Sequence, residues 1–327
     1  MILRKNNANM NEQQYLDNIA NANQNFLNFV MNNNGMKPIE TPVEIHPYLS
    51  AIELQDFEKY IIGTFPPISY VRDLLNINDG VGNIPSRPIT PFFHGNDNDL
   101  WKLLLSANES NEFINTNNRI AKREFLINLL PNNNINYSDI ISSVKRRIYS
   151  PKDIDLENII INENLVFNIL ISTISKYLFF DTSSVFNTAN FNCNNSCQSF
   201  NIFIEFLKNL NFNITVILNH NRLDINNPEL ITLFKTKVLT KLIVESDVEI
   251  TLSNSMKIKP IHKEFIIITS ASPSGNAARA LGKNPIYTNW KDQIENQNIA
   301  TPTNAFRKKI YSHFRNNEWD QLEVMNL

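Results

Sequence analysis

The sequence predicts an α/β fold: a parallel sheet covered on both faces by helices. Three observations lead there. YIIG (60–63), YLFF (177–180) and FIIIT (265–269) are apolar without alternation, as in strands buried on both faces. Helical stretches separate these runs, as the crossovers of parallel strands require. Each run also ends in a polar or Gly/Pro-rich loop, namely GTFPP, FDTSS and TSASPSGNAAR. Ligands of such sheets bind beyond the carboxyl ends of the strands, so all three loops are expected at one edge.

The elements follow in order. Residues 1–45 read as a polar, asparagine-rich N-terminal extension with one helix over QQYLDNIANANQNFLNFVMNN (13–33). A single α/β domain is expected over 46–327, with an insertion around 183–260. FEKYIIGTFPP gives a strand from Lys59 to Gly63 running into a Gly/Pro loop. DGVGNIPSRPITP (79–91) is a second Gly/Pro loop. Asp97, Asn98 and Asp99 are helix-capping residue types directly before LWKLL, which opens a buried helix near Leu100. IAKREFLINLLP continues as an amphipathic helix that stops before Pro131. NINYSDIISSVKRR (134–147) fits a strand or a short helix. ENLVFNILISTISKYLFFDTSS reads as a helix and then a strand over Tyr177–Asp181. SFNIFIEFLKNLN is a helix and NITVILN a strand. LITLFKTKVLTKLIVES and VEITLS fit either state. Phe265–Thr269 is a buried strand before a Ser/Pro/Gly loop and a helix.

Composition narrows the function classes. The chain has 327 residues, 42% of them hydrophobic, enough for a sizeable core. No apolar run is long enough to span a bilayer, and the first residues lack the apolar core of a signal peptide, so a cytoplasmic protein without membrane association is expected. The net charge of −2 argues against non-specific coating of nucleic acid, though not against a local grip on phosphates. Cys193 and Cys197 are too few for an iron–sulfur cluster, and the five histidines lack metal-ligand spacing. Neither cofactor nor metal is expected. Lys122-Arg123, Lys145-Arg146-Arg147 and Arg307-Lys308-Lys309 with Arg315 read first as solvated helix faces. The many asparagines supply turns and caps.

Four segments point to chemistry: IIGTFPP (61–67), FFHGNDNDLWKLL (92–104), SDIISSVKR (138–146) and IIITSASPSGNAAR (266–279). In this order the set resembles the uracil-DNA glycosylase superfamily, closest to its hypoxanthine-DNA glycosylase-like branch. That branch has a Gly-x-aromatic-or-Met-Pro loop after the first strand, then an aromatic pair leading through an Asn to Phe/Leu-Trp. An Asp-Ile/Val segment with a basic tail follows, and a Pro-Ser-x-Ser-Pro/Gly-Ala-Asn loop comes after the last strand.

The resemblance implies a three-layer α/β/α sandwich around a short, mainly parallel sheet, and hydrolysis of the bond between a flipped-out base and its deoxyribose in double-stranded DNA, leaving an abasic site. It assigns the base pocket to Gly63, Thr64, Phe65, Pro66, Phe92 and Phe93, with the phenylalanines as stacking faces. Asn98 falls on the branch's catalytic Asn, and Asp139 is a second polar anchor. Ser272, Pro273, Ser274, Gly275, Asn276 and Arg279 form the expected DNA-binding loop, together with Arg146. Ser272 and Ser274 suit phosphates, Asn276 the orphaned base, and Arg279 a phosphate or the gap.

The chain also departs from the family. GTFPP holds no Asp or Asn, and no Tyr stands where classical uracil enzymes exclude 5-substituted pyrimidines. Gly95-Asn96 or nearby residues replace the usual His-Pro. The stretch from Pro67 to Phe92 is long. These departures suit a base larger than uracil, such as the glucosylated hydroxymethylcytosine of some phages, and hence antiviral defence. The alternatives are repair of uracil or hypoxanthine, and a non-catalytic DNA sensor on the same fold. No lysine of the four segments stands out as a Schiff-base nucleophile; Lys102 is the nearest. The expected enzyme is monofunctional, with no obligate protein partner.

Overall fold

A computed structural model of the chain describes residues 12–32, 42–46, 49, 56–65, 99–116, 119–146, 156–180, 199–218, 220–227, 238–268, 281–294 and 301–325. Its centre is a seven-stranded sheet. The strands are β2 (Lys59–Gly63), β3 (Ile135–Asp139), β6 (Tyr177–Phe180), β7 (Asn213–Leu218), β8 (Asn221–Asp224), β9 (Leu239–Ser246) and β12 (Ile261–Ile268). Their order is β3-β2-β6-β12-β9-β7-β8. The pairs β3/β2, β2/β6 and β6/β12 are parallel. The pairs β12/β9, β9/β7 and β7/β8 are antiparallel. The sheet is therefore mixed, not mainly parallel as the apolar runs predict. The antiparallel half comes from residues whose pattern is weaker. β9 lies in the stretch that fits either state, and β8 is an exposed edge with no apolar run.

β2, β3 and β6 are buried along their whole length, which explains the apolar runs of β2 and β6, while β3 buries Asn136, Ser138 and Asp139 as well. Ile61, Tyr137, Tyr177, Phe179 and Ile268 face one core. Tyr60, Ile62, Leu178, Phe180 and Ile267 face the other. The first core is closed by α5 (Arg119–Asn132), α8 (Pro285–Gln293), α9 (Pro302–Asn316) and α10 (Trp319–Glu323). The second is closed by α6 (Glu163–Ile171) and α7 (Ser199–Asn209). Helices thus cover both faces of the sheet, and the chain is α/β. Residues 199–246, within the stretch read as an insertion, supply α7 and three strands of the central sheet.

The single helix expected over 13–33 is two, α1 (Glu12–Ala22) and α2 (Gln24–Asn32), broken at Asn23. Asn23 is buried, and its side chain donates to Ile19 O at 3.2 Å while accepting from Ile45 N–H at 2.8 Å. A mid-helix Asn that finds an outside partner competes with the helical ladder. Leu16, Ile19, Phe26 and Leu27 of these helices belong to the first core. The helix expected to stop before Pro131 instead runs to Asn132, with the proline in its last turn. Asn134 follows at φ 54°, and its N–H bonds Pro131 O at 2.9 Å. Asn211 and Asn317 hold the same left-handed region after α7 and α9. With only 7 glycines, the chain uses asparagine for helix ends.

NINYSDIISSVKRR forms two strands. The chain leaves the large sheet after β3 and enters a small one through β4 (Ile141–Arg146), which pairs with β1 (Glu44–Ile45) and β5 (Leu156–Ile161). Asp139 stands at the corner between the two sheets. A ribbon of β10 (Ile250–Thr251) and β11 (Lys257–Ile258) decorates the turn between β9 and β12. No helix among the described residues is long and apolar enough to cross a membrane.

Candidate functional site

Because β2, β3, β6 and β12 run parallel, their carboxyl ends share one edge. Gly63 is level with Asp139, Ile62 with Phe180, and Phe179 with Ile268. The strands that precede GTFPP, FDTSS and TSASPSGNAAR therefore all end on that edge, and the loops themselves lie largely outside the described residues.

The described part of the edge is built around Gly63. Its Cα faces the side chains of β3 so closely that an added Cβ would lie 2.0 Å from Asp139 Oδ1 and 2.5 Å from Tyr137 Oη. Glycine is needed here for room. Beyond it the chain is pinned, because Gly63 O accepts from Ile140 N–H at 3.0 Å and Thr64 O from Ile141 N–H at 3.3 Å. The corner is held again by Asn162, whose amide donates to Asp139 O at 3.1 Å and Ser138 Oγ at 3.3 Å. Asn162 also caps α6 by accepting from Leu165 N–H.

His46, which sequence reasoning missed, joins this cluster from the other side. Its Nε2 lies 2.8 Å from Asp139 Oδ2, with side-chain exposures of 0% and 7%. With the carboxylate as acceptor, the imidazole carries its proton on Nε2. Backbone bonds fix the histidine. β1 pairs with β4, His46 N–H bonds Ser142 O at 2.9 Å, and Ile45 is tied to Asn23. The Phe65 ring meets the imidazole edge-to-face at 5.3 Å. Phe65, expected as a stacking face, is buried at 7% exposure and packs with the second core. EIHP carried only one weak signal, a lone histidine before a proline.

The helix after the second segment, α3 (Leu100–Leu104), has four buried apolar residues, as predicted. Trp101 packs on Tyr137 with ring centroids 6.0 Å apart. Asp99 occupies the N-cap position but makes no cap bond; its carboxylate instead pairs with the buried Arg307 at 2.8 Å. At the other end of α3, Lys308 donates to Lys102 O and Leu105 O, and Arg315 to Leu104 O. Arg315 also grips Glu109 with both terminal nitrogens, one bond being 2.6 Å. The basic cluster read as a solvated face is therefore mostly a clamp. Its cations satisfy the last carbonyls of α3, where a helix end leaves them open. Lys102 is exposed and pairs with Asp99 at 3.4 Å.

Arg146 ends β4, five residues beyond Ile141. Asn98, Pro66, Phe92 and Phe93 lie outside the described residues, as do Ser272, Pro273, Ser274, Gly275, Asn276 and Arg279, and both cysteines. Among the described residues no three His, Cys, Asp or Glu side chains converge as metal ligands.

Against known proteins, no family model, no curated protein and no solved structure matches this chain.

Proposed function

We propose that the chain is a monofunctional DNA glycosylase of the uracil-DNA glycosylase type, acting on double-stranded DNA with one nucleotide flipped out. The observation that carries the reading is the shared edge. Strands β2 and β12, which run into two of the four segments, end on the same side of the sheet, Ile268 lying level with Ile61 through Phe179. Asp139 of the third segment stands beside Gly63 of the first. The helix of the remaining segment packs through Trp101 onto Tyr137 of the same strand as Asp139. The described parts of four stretches far apart in sequence thus lie on the parallel strands or pack against them, an arrangement that supports a base-excising site.

In this reading Asn98 and Asp139 act on the water and the departing base, while the loop over 272–279 holds the DNA. The long stretch between Pro67 and Phe92 favours a bulky base such as glucosylated hydroxymethylcytosine, and so antiviral defence, over uracil or hypoxanthine. The fold proposed with it is the superfamily's three-layer sandwich, extended by the antiparallel half of the sheet.

The test is a panel of duplexes carrying uracil, hypoxanthine, hydroxymethylcytosine or its glucosylated form, read as alkali-labile breaks. Breaks on one substrate, lost in Asn98→Ala and Asp139→Asn, are the expected result. Intact duplexes throughout, with DNA still bound, would instead favour a non-catalytic sensor.

A further inference from the structure

We propose that His46 is a positioning residue of this site. Its Nε2–H holds Asp139 Oδ2, so that Oδ1 is aimed over Gly63 at the carboxyl edge of β2. The inference rests on the glycosylase reading above and adds to it a residue, His46, that the reading does not use. The imidazole is fully buried, 93 residues distant in sequence from its partner, and anchored through three separate backbone ties. A carboxylate free to rotate about its last bond presents either oxygen in many directions. One oxygen held at 2.8 Å by a fixed donor leaves the other a single direction. Here that direction is the one place in β2 where a side chain is missing. Preorganisation of this kind is where buried polar networks contribute to catalysis.

The chemistry balances with this assignment. The C1′–N bond breaks, its electron pair leaving with the base, and a water oxygen bonds C1′. The water gives one proton to Asp139 Oδ1, and the base recovers one from solvent. His46 keeps its own proton throughout and touches no substrate.

The experiment compares His46→Leu with His46→Gln in the full chain, on the duplex that the wild type cleaves. Leucine removes the donor; glutamine keeps an uncharged one. His46→Leu is expected to lower kcat by about 100-fold, the order contributed by a positioned general base, with KM little changed. His46→Gln is expected to stay within about tenfold of wild type because a donor to Asp139 remains. Equal losses in both variants, or none in either, overturn the proposal. Should His46→Leu not fold, His46→Gln decides alone, and a loss as large as that of Asp139→Asn refutes it. A wild type inactive on every duplex overturns the glycosylase reading and this inference together. An active wild type with an unaffected His46→Leu overturns this inference only.

Discussion

Replacing Gly63 by alanine perturbs the candidate site with a single methyl group. Real Cβ atoms essentially never approach another heavy atom within 3.0 Å, yet this one would begin 2.0 Å from Asp139 Oδ1 and 2.5 Å from Tyr137 Oη. The carboxylate oxygen has to retreat by about 1 Å, and the tyrosine hydroxyl by about half that, for overpacking to be relieved. Asp139 cannot turn away freely, because its other oxygen is bonded to buried His46 and its carbonyl to Asn162. Overpacking of this kind costs about 1–3 kcal/mol, and weakening a buried bond to a charged group adds about as much again. Gly63→Ala is therefore expected to lower unfolding stability by about 3 kcal/mol, measured as a shift of the urea midpoint at unchanged slope. The proposed base release should fall with it even where the variant is fully folded. A Gly63→Ala protein within about 0.5 kcal/mol of wild type would refute the packing argument.

Other perturbations test the surrounding frame. Arg307→Met removes the buried partner of Asp99 and is expected to cost about 2 kcal/mol, since charged hydrogen bonds are the stronger kind; an unchanged thermal midpoint would contradict this. The Arg315 guanidinium, helped by Ser106, holds the Glu109 carboxyl down at about 2 from an ordinary 4.5. A depressed carboxyl stabilises the fold above its unfolded value, and that stabilisation disappears as pH falls from 4.5 toward 2. Glu109→Gln should therefore cost about 1 kcal/mol at pH 7, allowing for solvent screening, and nothing near pH 2, as denaturant titrations would reveal. Burial lowers Lys59 from 10.5 to about 8. Between those values the unfolded chain binds the extra proton, so wild-type stability relative to Lys59→Met should rise with pH across that window. A flat difference would show that Lys59 keeps its proton in the fold.

What was legible in the sequence follows from how strongly each signal was written. β2, β6 and the end of β12 are apolar on both faces, and nothing but a covered sheet explains such runs. Asp139 and Gly63 could be named because each ends a strand within a recognisable segment. β8, nearly all exposed, carries no apolar signature and joins the sheet through tertiary pairing alone. The Asn23 break depended on Ile45, 22 residues later, and no local pattern reports that. Arg307 looked like surface because charge in sequence does not disclose its partner; the partner is 208 residues away. His46 was missed for the same reason, since its meaning lies wholly in a contact with a distant strand.

The helices over 302–323 have one further consequence, and it concerns time. Lys59, the first residue of β2, donates to Arg315 O at 2.7 Å, and Trp319 stacks on Tyr177 of β6 at 3.6 Å. Phe314 and Tyr311 cover Phe179 in the same strand. A ribosome adding about 5–20 residues per second exposes β2 and β6 well before these covers exist. For some seconds the nascent chain presents Tyr177 and Phe179 of β6 without the rings that later cover them. The wait makes this face of the sheet the natural client of a chaperone, and makes release of the last turns of α9 the event that covers Phe179 and ties down Lys59.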